Sequence, residues 1–193
     1  TTVPLSELFD RFRKMVFDLG VELGKKVNDL AVSGDDIMVD TKLIEKMRDV
    51  LIHALRNSMD HGLEPDDGTR PDWKPEKGTV KIDVGWEEQF LVFRLHDDGR
   101  GLNFDAIKQK ALSKGMVTEE ELESMPDQDA TELLFKPGFS MAAKVTDVSG
   151  RGVGMDVIRT TMRELQGDAV LSSKTGEYCQ LELRIPADYY QAL

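Results

Sequence analysis

Two polar side chains one helical turn apart, His53 and Asn57, are the first residues of this sequence whose types and spacing could do chemistry. They lie in a segment, 41–61, whose apolar residues recur at helical spacing, so side chains four positions apart stack on one face. An amide oxygen is a hard, neutral ligand that suits Mg²⁺, and an imidazole beside it can position a phosphate oxygen or a proton. Taken alone, the same pattern is also that of a solvated helix face.

A second candidate is the run Asp97-Asp98-Gly99-Arg100-Gly101, which directly follows an apolar strand. The two glycines permit positive φ and close approach of a ligand. A carboxylate at the end of a strand can accept a hydrogen bond from an exocyclic amine such as the one that adenine carries. By itself the motif is also compatible with a simple Asp-Gly turn.

A third candidate is a set of alternating glycines, Gly150, Gly152 and Gly154, which lead into a helix start at Met155. Free N–H groups at a helix N-terminus, together with the helix dipole, suit a phosphate chain. The spacing of a P-loop is absent, and the segment before Gly150 is a loop rather than the strand that a dinucleotide fold requires.

The elements that must position these residues follow from periodicity and from the placement of glycine and proline. We predict a long helix from Thr41 or Lys42 to about His61, with Asp40 or Thr41 as its N-cap and Gly62 as its stop. The other helices are predicted at 5–23, 104–114 after an Asn103 cap, 119–124, 129–135 and 155–165 before Gly167.

Strands are expected in pairs. The pairs are two short strands within 30–40 that turn at Ser33-Gly34-Asp35-Asp36, then 79–86 with 90–96, and finally 169–173 with 179–185. Segments 63–78 and 136–152 are predicted loops. Helices followed by strand pairs predict an α+β fold, a two-layer α/β sandwich with a mixed, mostly antiparallel sheet packed on helices, rather than alternating βαβ units.

Composition limits the classes of protein. A length of 193 residues favours one domain over 1–193. The 25 Lys plus Arg against 36 Asp plus Glu give a charge of −11, which argues against nucleic acid and anionic lipid as partners. The absence of a long apolar run argues against membrane insertion, and no leader-like pattern is visible, so we expect a cytoplasmic protein. The single cysteine, Cys179, excludes an internal disulfide.

Taken in order, the motifs resemble the four boxes of Bergerat-type (GHKL) ATP-binding proteins. The residues of these motifs resemble most of all those of the catalytic ATP-binding domain of CheA-type chemotaxis histidine kinases, and the resemblance extends from about Val3 to the end of the chain. The N box corresponds to about 49–64, with His53-Ala54-Leu55-Arg56-Asn57 and Asp60-His61-Gly62-Leu63-Glu64. The G1 box corresponds to 97–101, the F box and ATP lid to about 135–152, and the G2 box to 149–157.

The resemblance implies roles for individual residues. Asn57 would hold Mg²⁺ and act in catalysis with His53 and Arg56, and Asp97 would accept from the adenine amino group. Residues expected to contact the nucleotide are Gly99, Gly101, His61, Lys110, Ser140, Gly150, Arg151, Gly152, Val153 and Gly154. For Arg56, His61 and Lys110 the alternatives are a solvated arginine, a helix-ending histidine and an exposed helix lysine.

In related ATPases of this fold, the position of His53 is a glutamate that activates water. An imidazole there fits transfer to another nucleophile better than hydrolysis. The resemblance therefore implies ATP and Mg²⁺ as cofactors and transfer of the γ-phosphoryl group to a histidine on a separate phosphoacceptor domain, in chemotaxis two-component signalling. Implied partners are a chemoreceptor and a coupling protein, reached through other domains, and downstream response regulators. The fragment itself is expected to be monomeric.

The sequence departs from the family pattern at four positions. Met141 follows Ser140 where the family continues with threonine, and Ala106 replaces a common lysine. Tyr178 and Cys179 stand where a Gly-Thr pair usually helps to hold adenine. These departures keep two alternatives open: a degenerate nucleotide-binding or scaffolding module without kinase activity, and a stand-alone ATPase.

Overall fold

The computed structural model describes residues 1–140 and 154–188. Six α-helices and one π-helical turn lie in this part of the chain: α1 (Ser6–Leu23), α2 (Thr41–Asn57), the π-helical turn (Ser58–Gly62), α3 (Phe104–Ser113), α4 (Glu119–Glu123), α5 (Asp127–Leu134) and α6 (Met155–Glu164). The strands are β1 (Thr2–Pro4), β2 (Ala31–Ser33), β3 (Met38–Asp40), β4 (Val80–Glu87), β5 (Phe90–Asp97), β6 (Asp168–Lys174) and β7 (Tyr178–Pro186). None of the helices described in this way is long and apolar enough to cross a membrane.

The main sheet has five strands in the order β2-β4-β5-β7-β6. Only the β2–β4 pair is parallel, and the other three pairs are antiparallel. This confirms the predicted mixed, mostly antiparallel sheet packed on helices. The predicted strand pairs 79–86 with 90–96 and 169–173 with 179–185 are both present, and each strand end lies within one residue of its predicted position.

The two short strands predicted within 30–40 exist, but the prediction that they turn back on each other is wrong. β2 pairs with β4, whereas β3 pairs with β1, a strand that the pattern did not predict. The segment between β2 and β3 bonds instead to the N-terminal end of α1. The N–H groups of Leu5 and Ser6 donate to the carbonyl groups of Ile37 and Asp35. Alternation indicates a strand but does not select its partner.

The long helix α2 starts where the sequence predicts. Asp40 is its N-cap, and its carboxylate accepts a hydrogen bond from the N–H of Lys42 at 2.8 Å. Leu51 and Leu55 are fully buried on one face. The regular helix ends at Asn57 rather than near His61, because the last turn widens: the N–H of Leu63 bonds to the carbonyl of Ser58, five residues back, at 2.8 Å.

The described residues group into two compact units. The first consists of 1–102 and 162–188 and contains the five-stranded sheet with α1 and α2. The second consists of 103–140 and 154–161, in which α3 contacts α5. Asn103 caps α3 as predicted, since its side chain accepts from the N–H of Ala106 at 3.0 Å. The assignment of 1–193 to a single domain stays a prediction.

Candidate functional site

Asp97 occupies a core position at the end of β5. Side chains of a strand alternate between its two faces, and Leu91, Phe93 and Leu95 are buried on the face that Asp97 shares. Only 3% of Asp97 is exposed. A carboxylate is rarely buried to this extent unless it is bonded, so this residue is a strong candidate for a functional group.

Two neighbours hold the Asp97 carboxylate. The N–H of Gly99 donates to Oδ1 at 3.0 Å, and the side chain of Ser58 on the π-helical turn also bonds to it. Burial nevertheless raises the pKa of Asp97 to about 6, and the nearby carboxylates of Asp98 and Glu64 act in the same direction. The result is an oriented hydrogen-bond acceptor whose charge changes close to neutral pH.

The turn after β5 requires glycine because it lies against the protein's own backbone. A Cβ on Gly99 would lie 2.0 Å from the carbonyl oxygen of Gly62, and that oxygen accepts the N–H of Arg100 at 2.9 Å. Gly101 has φ of 66°, and a Cβ there would lie 2.5 Å from the carbonyl oxygen of Lys174. Close packing of a base against Gly99 and Gly101 stays a prediction.

The four residues predicted from the N box all lie on α2 or on the π-helical turn. His53 and Asn57 are half-buried, and the Nε2 atom of His53 has almost no accessible surface. Arg56 is exposed. The His61 side chain is 79% exposed, and its Nε2 atom lies 3.6 Å from an oxygen of Asp60.

Cys179 lies directly opposite Asp97 in the β5–β7 register. Burial raises the pKa of its thiol to about 12, with the Asp97 charge adding to the effect, so the thiol is neutral. The ring of Tyr178 stacks instead on the ring of His96, with 5.3 Å between their centroids. Of the two departures near the C-terminal strand, Cys179 is therefore the one that adjoins Asp97.

Sequence reasoning missed several polar residues around Asp97. Neither Ser58, at the end of a helix, nor Lys25, in a short polar segment, stands out in the sequence. The Lys25 ammonium donates to the carbonyl of Asp60 at 2.5 Å, and burial and the charge of Arg100 lower its pKa. No periodicity marks such residues, because each acts from the end of an element or from a loop.

The second unit holds three further predicted residues. Lys110 lies over the ring of Phe139 at 4.9 Å, and Ser140 is exposed at the next position. A Cβ on Gly154 would lie 2.7 Å from the Ser140 hydroxyl, so these two residues lie close together. Their contact with a nucleotide stays a prediction. Met141, Gly150, Arg151, Gly152 and Val153 lie outside the described residues.

The fold agrees with what comparison with known proteins finds. The sequence profile of the histidine kinase-, DNA gyrase B-, and HSP90-like ATPases matches residues 43–189. The chain belongs to this family. It is 42% identical over 183 residues to the sensor histidine kinase CheAY of Helicobacter pylori and 38% identical over 184 residues to the chemotaxis protein CheA of Halobacterium salinarum.

Each match covers 95% of this chain but only 23% and 27% of the respective relative. The chain therefore spans about a quarter of the length of these curated relatives. Over the shared part the chain is similar to CheA proteins, which confirms the resemblance stated from the four boxes.

Solved structures with the same fold are histidine kinase domains. The blue-light activated histidine kinase domain of Erythrobacter litoralis EL346 superimposes with a TM-score of 0.56 at 14% identity, covering 98% of this chain and 68% of that one. The catalytic domain of histidine kinase ThkA gives a TM-score of 0.56 at 14% identity, with 97% and 96% covered. Together with the family match, these likenesses confirm the predicted GHKL-type sandwich.

Proposed function

We propose that this chain binds Mg-ATP and transfers the γ-phosphoryl group to a histidine on a separate phosphoacceptor domain, within chemotaxis two-component signalling. The observation that carries the proposal is the buried carboxylate of Asp97 at the end of β5. The Gly99 N–H and the Ser58 side chain orient this carboxylate. An acceptor held this firmly in an apolar setting suits the exocyclic amine of adenine.

The side chains of α2 supply the phosphate end of the site. Asn57 offers an amide oxygen, which fits Mg²⁺. Among residues 1–140 and 154–188, no group of three or more His, Cys, Asp or Glu could hold a metal ion. A single amide oxygen fits a cation that takes most of its ligands from phosphate oxygens and water, and Mg²⁺ in nucleotide sites is bound in this way. When bound, the cation neutralises charge on the phosphates.

The remaining helix residues have roles suited to transfer rather than to hydrolysis. His53 places an imidazole, not a carboxylate, one turn before Asn57 on α2. A carboxylate is the better base for an attacking water, whereas a histidine acceptor is itself a nucleophile and needs alignment more than activation. Arg56 and His61 are exposed and able to approach phosphate oxygens. The acceptor domain, a chemoreceptor, a coupling protein and response regulators are the proposed partners.

Incubation of the chain with γ-labelled ATP, Mg²⁺ and a CheA-type phosphoacceptor domain tests the proposal. We expect label on the acceptor histidine and little phosphate released without the acceptor. Asn57→Ala should abolish Mg²⁺-dependent transfer while the far-ultraviolet circular dichroism stays unchanged. Normal transfer by Asn57→Ala would remove this residue from the site.

A second candidate function is a nucleotide-binding module without kinase activity. The neutral Cys179 thiol opposite Asp97 favours it, because a thiol is a weaker hydrogen-bonding group than the family's threonine hydroxyl. The same experiment separates the two: intact ATP binding with an unlabelled acceptor would support the module. Steady phosphate release without any acceptor would instead indicate a stand-alone ATPase.

A further inference from the structure

The loop between the π-helical turn and β4 buries charged side chains, which loops rarely do. The side chains of Glu64 and Lys74 are each only 3% exposed, and that of Arg70 is 10% exposed. Burying charge is costly unless each charged group is paired and hydrogen-bonded. Each of these three buried charges is accordingly paired and hydrogen-bonded.

Lys74 reaches the turn that follows Asp97. Its ammonium donates to Oε2 of Glu64 at 2.8 Å, to the carbonyl oxygen of Asp98 at 2.9 Å and to the carbonyl oxygen of Gly99 at 2.7 Å. An ammonium group has three donors, and all three are used. Two of the three bonds fix backbone atoms of the turn itself.

Arg70 holds the same turn from a second direction. Its guanidinium donates to Oε1 of Glu64 at 3.0 Å, to the carbonyl oxygen of Asp98 at 3.1 Å and to Oδ2 of Asp98 at 2.9 Å. The other oxygen of Asp98 accepts the N–H of Thr79, the residue before β4, at 2.8 Å. The two cations thus share one buried carboxylate, Glu64, and both bind the Asp98 carbonyl.

We propose that Glu64, Arg70 and Lys74 form a clamp that positions the Asp97–Gly99 turn for adenine. The proposal rests on the proposed function. The physical link is short: the clamp fixes the Gly99 carbonyl, and the N–H of the same residue holds the Asp97 carboxylate. Release of the turn would let that carboxylate change its orientation. The three residues act through Asp97 and are positioning residues.

The test compares Lys74→Met with Lys26→Met. Lys26 binds Glu76 of the same loop at 2.6 Å and Asp66 at 3.5 Å, but none of its bonds reaches the turn. Calorimetric titration with Mg-ADP should show an affinity lowered about tenfold or more in Lys74→Met, since two charge-assisted bonds to the turn are lost. Lys26→Met should bind as the unsubstituted chain does.

Arg70→Met and Arg70→Lys provide an independent pair if Lys74→Met fails to fold. Arg70→Met should also lower the affinity, and Arg70→Lys should restore part of it. Equal affinities in all folded variants, with only lowered melting temperatures, would show a purely structural role and overturn the clamp. If the unsubstituted chain itself fails to bind Mg-ADP, the proposed function is wrong and the clamp proposal falls with it.

Discussion

The backbone of Gly99 lies so close to that of Gly62 that a Cβ on Gly99 would be 2.0 Å from the Gly62 carbonyl oxygen. This contact joins the end of the π-helical turn to the turn after β5, and the Arg100 N–H bonds to the same oxygen at 2.9 Å. The helix that carries Asn57 and the strand that carries Asp97 therefore meet through main-chain atoms. Their relative position depends little on side-chain rotamers.

Gly99→Ala should separate these two segments. The added methyl group has no room against a backbone carbonyl, so we expect a loss of stability of about 1–3 kcal/mol and a clear loss of Mg-ADP affinity. Urea unfolding and calorimetric titration measure the two effects. Gly85→Ala is the matched control, because nothing lies within 4 Å of a Cβ at Gly85. A Gly99→Ala chain that binds like the control would contradict the described contact.

Asp97→Asn tests the acceptor. The amide keeps the shape of the side chain but loses the charge that strengthens a hydrogen bond to an exocyclic amine. We expect the affinity for Mg-ADP to fall by about 1.5–3 kcal/mol, roughly tenfold to a hundredfold. Calorimetric titration at pH values well above 6 gives the measurement. An unchanged affinity would refute the assignment of Asp97 to adenine.

The pH dependence of stability should show the burial of Asp97. Its pKa of about 6 lies above the ordinary value of 3.8, so the folded chain binds this proton more tightly than the unfolded chain. The contribution of Asp97 to the free energy of unfolding is therefore fully present below about pH 4 and is lost as pH rises through about 6. Urea unfolding of the unsubstituted chain and of Asp97→Asn across this range measures the difference.

All other carboxylates titrate in both chains, so the difference between them isolates this residue. A difference that is constant with pH would show that Asp97 has an ordinary pKa in the folded chain.

Cys179→Thr should improve nucleotide binding. A hydroxyl at this position could bond where the neutral thiol bonds weakly, a gain of about 1 kcal/mol or roughly fivefold in affinity for Mg-ADP. Cys179→Ala is the control, and its affinity should stay close to that of the unsubstituted chain. An unchanged affinity in Cys179→Thr would mean that the weak hydrogen bonding of the Cys179 thiol does not limit nucleotide binding.

Much of the fold follows from local pattern. The Asp40 and Asn103 caps, the buried face of α2 and the β4–β5 hairpin are all determined by residues close in sequence. The four boxes predicted the family as well, since glycine spacing and an Asp-Gly pair are legible without coordinates. Asp97 was predicted for the same reason.

What the sequence could not predict depends on contacts between distant segments. In the sequence, Lys74 is an ordinary charged loop residue. Only the structure shows that it is buried and that it bonds to the Gly99 carbonyl. The parallel pairing of β2 with β4 joins residues about fifty positions apart, so no local turn signal exists for it. The widened turn after Asn57 likewise arises where the chain meets Asp97, not from a helix-stop residue alone.

β5 lies third among the five strands and is bonded along its whole length on both sides, by β4 and by β7. The Asp97 carboxylate, which is proposed to bind the purine, is thus carried by a strand that is hydrogen-bonded on both sides. A local opening of this strand would have to break the hydrogen bonds to β4 and to β7 at once. A conformational change that weakens nucleotide binding without unfolding the domain would therefore have to act through the loop 63–78 and the C-terminal end of α2. Amide exchange should consequently be slowest at β5 and faster at 63–78.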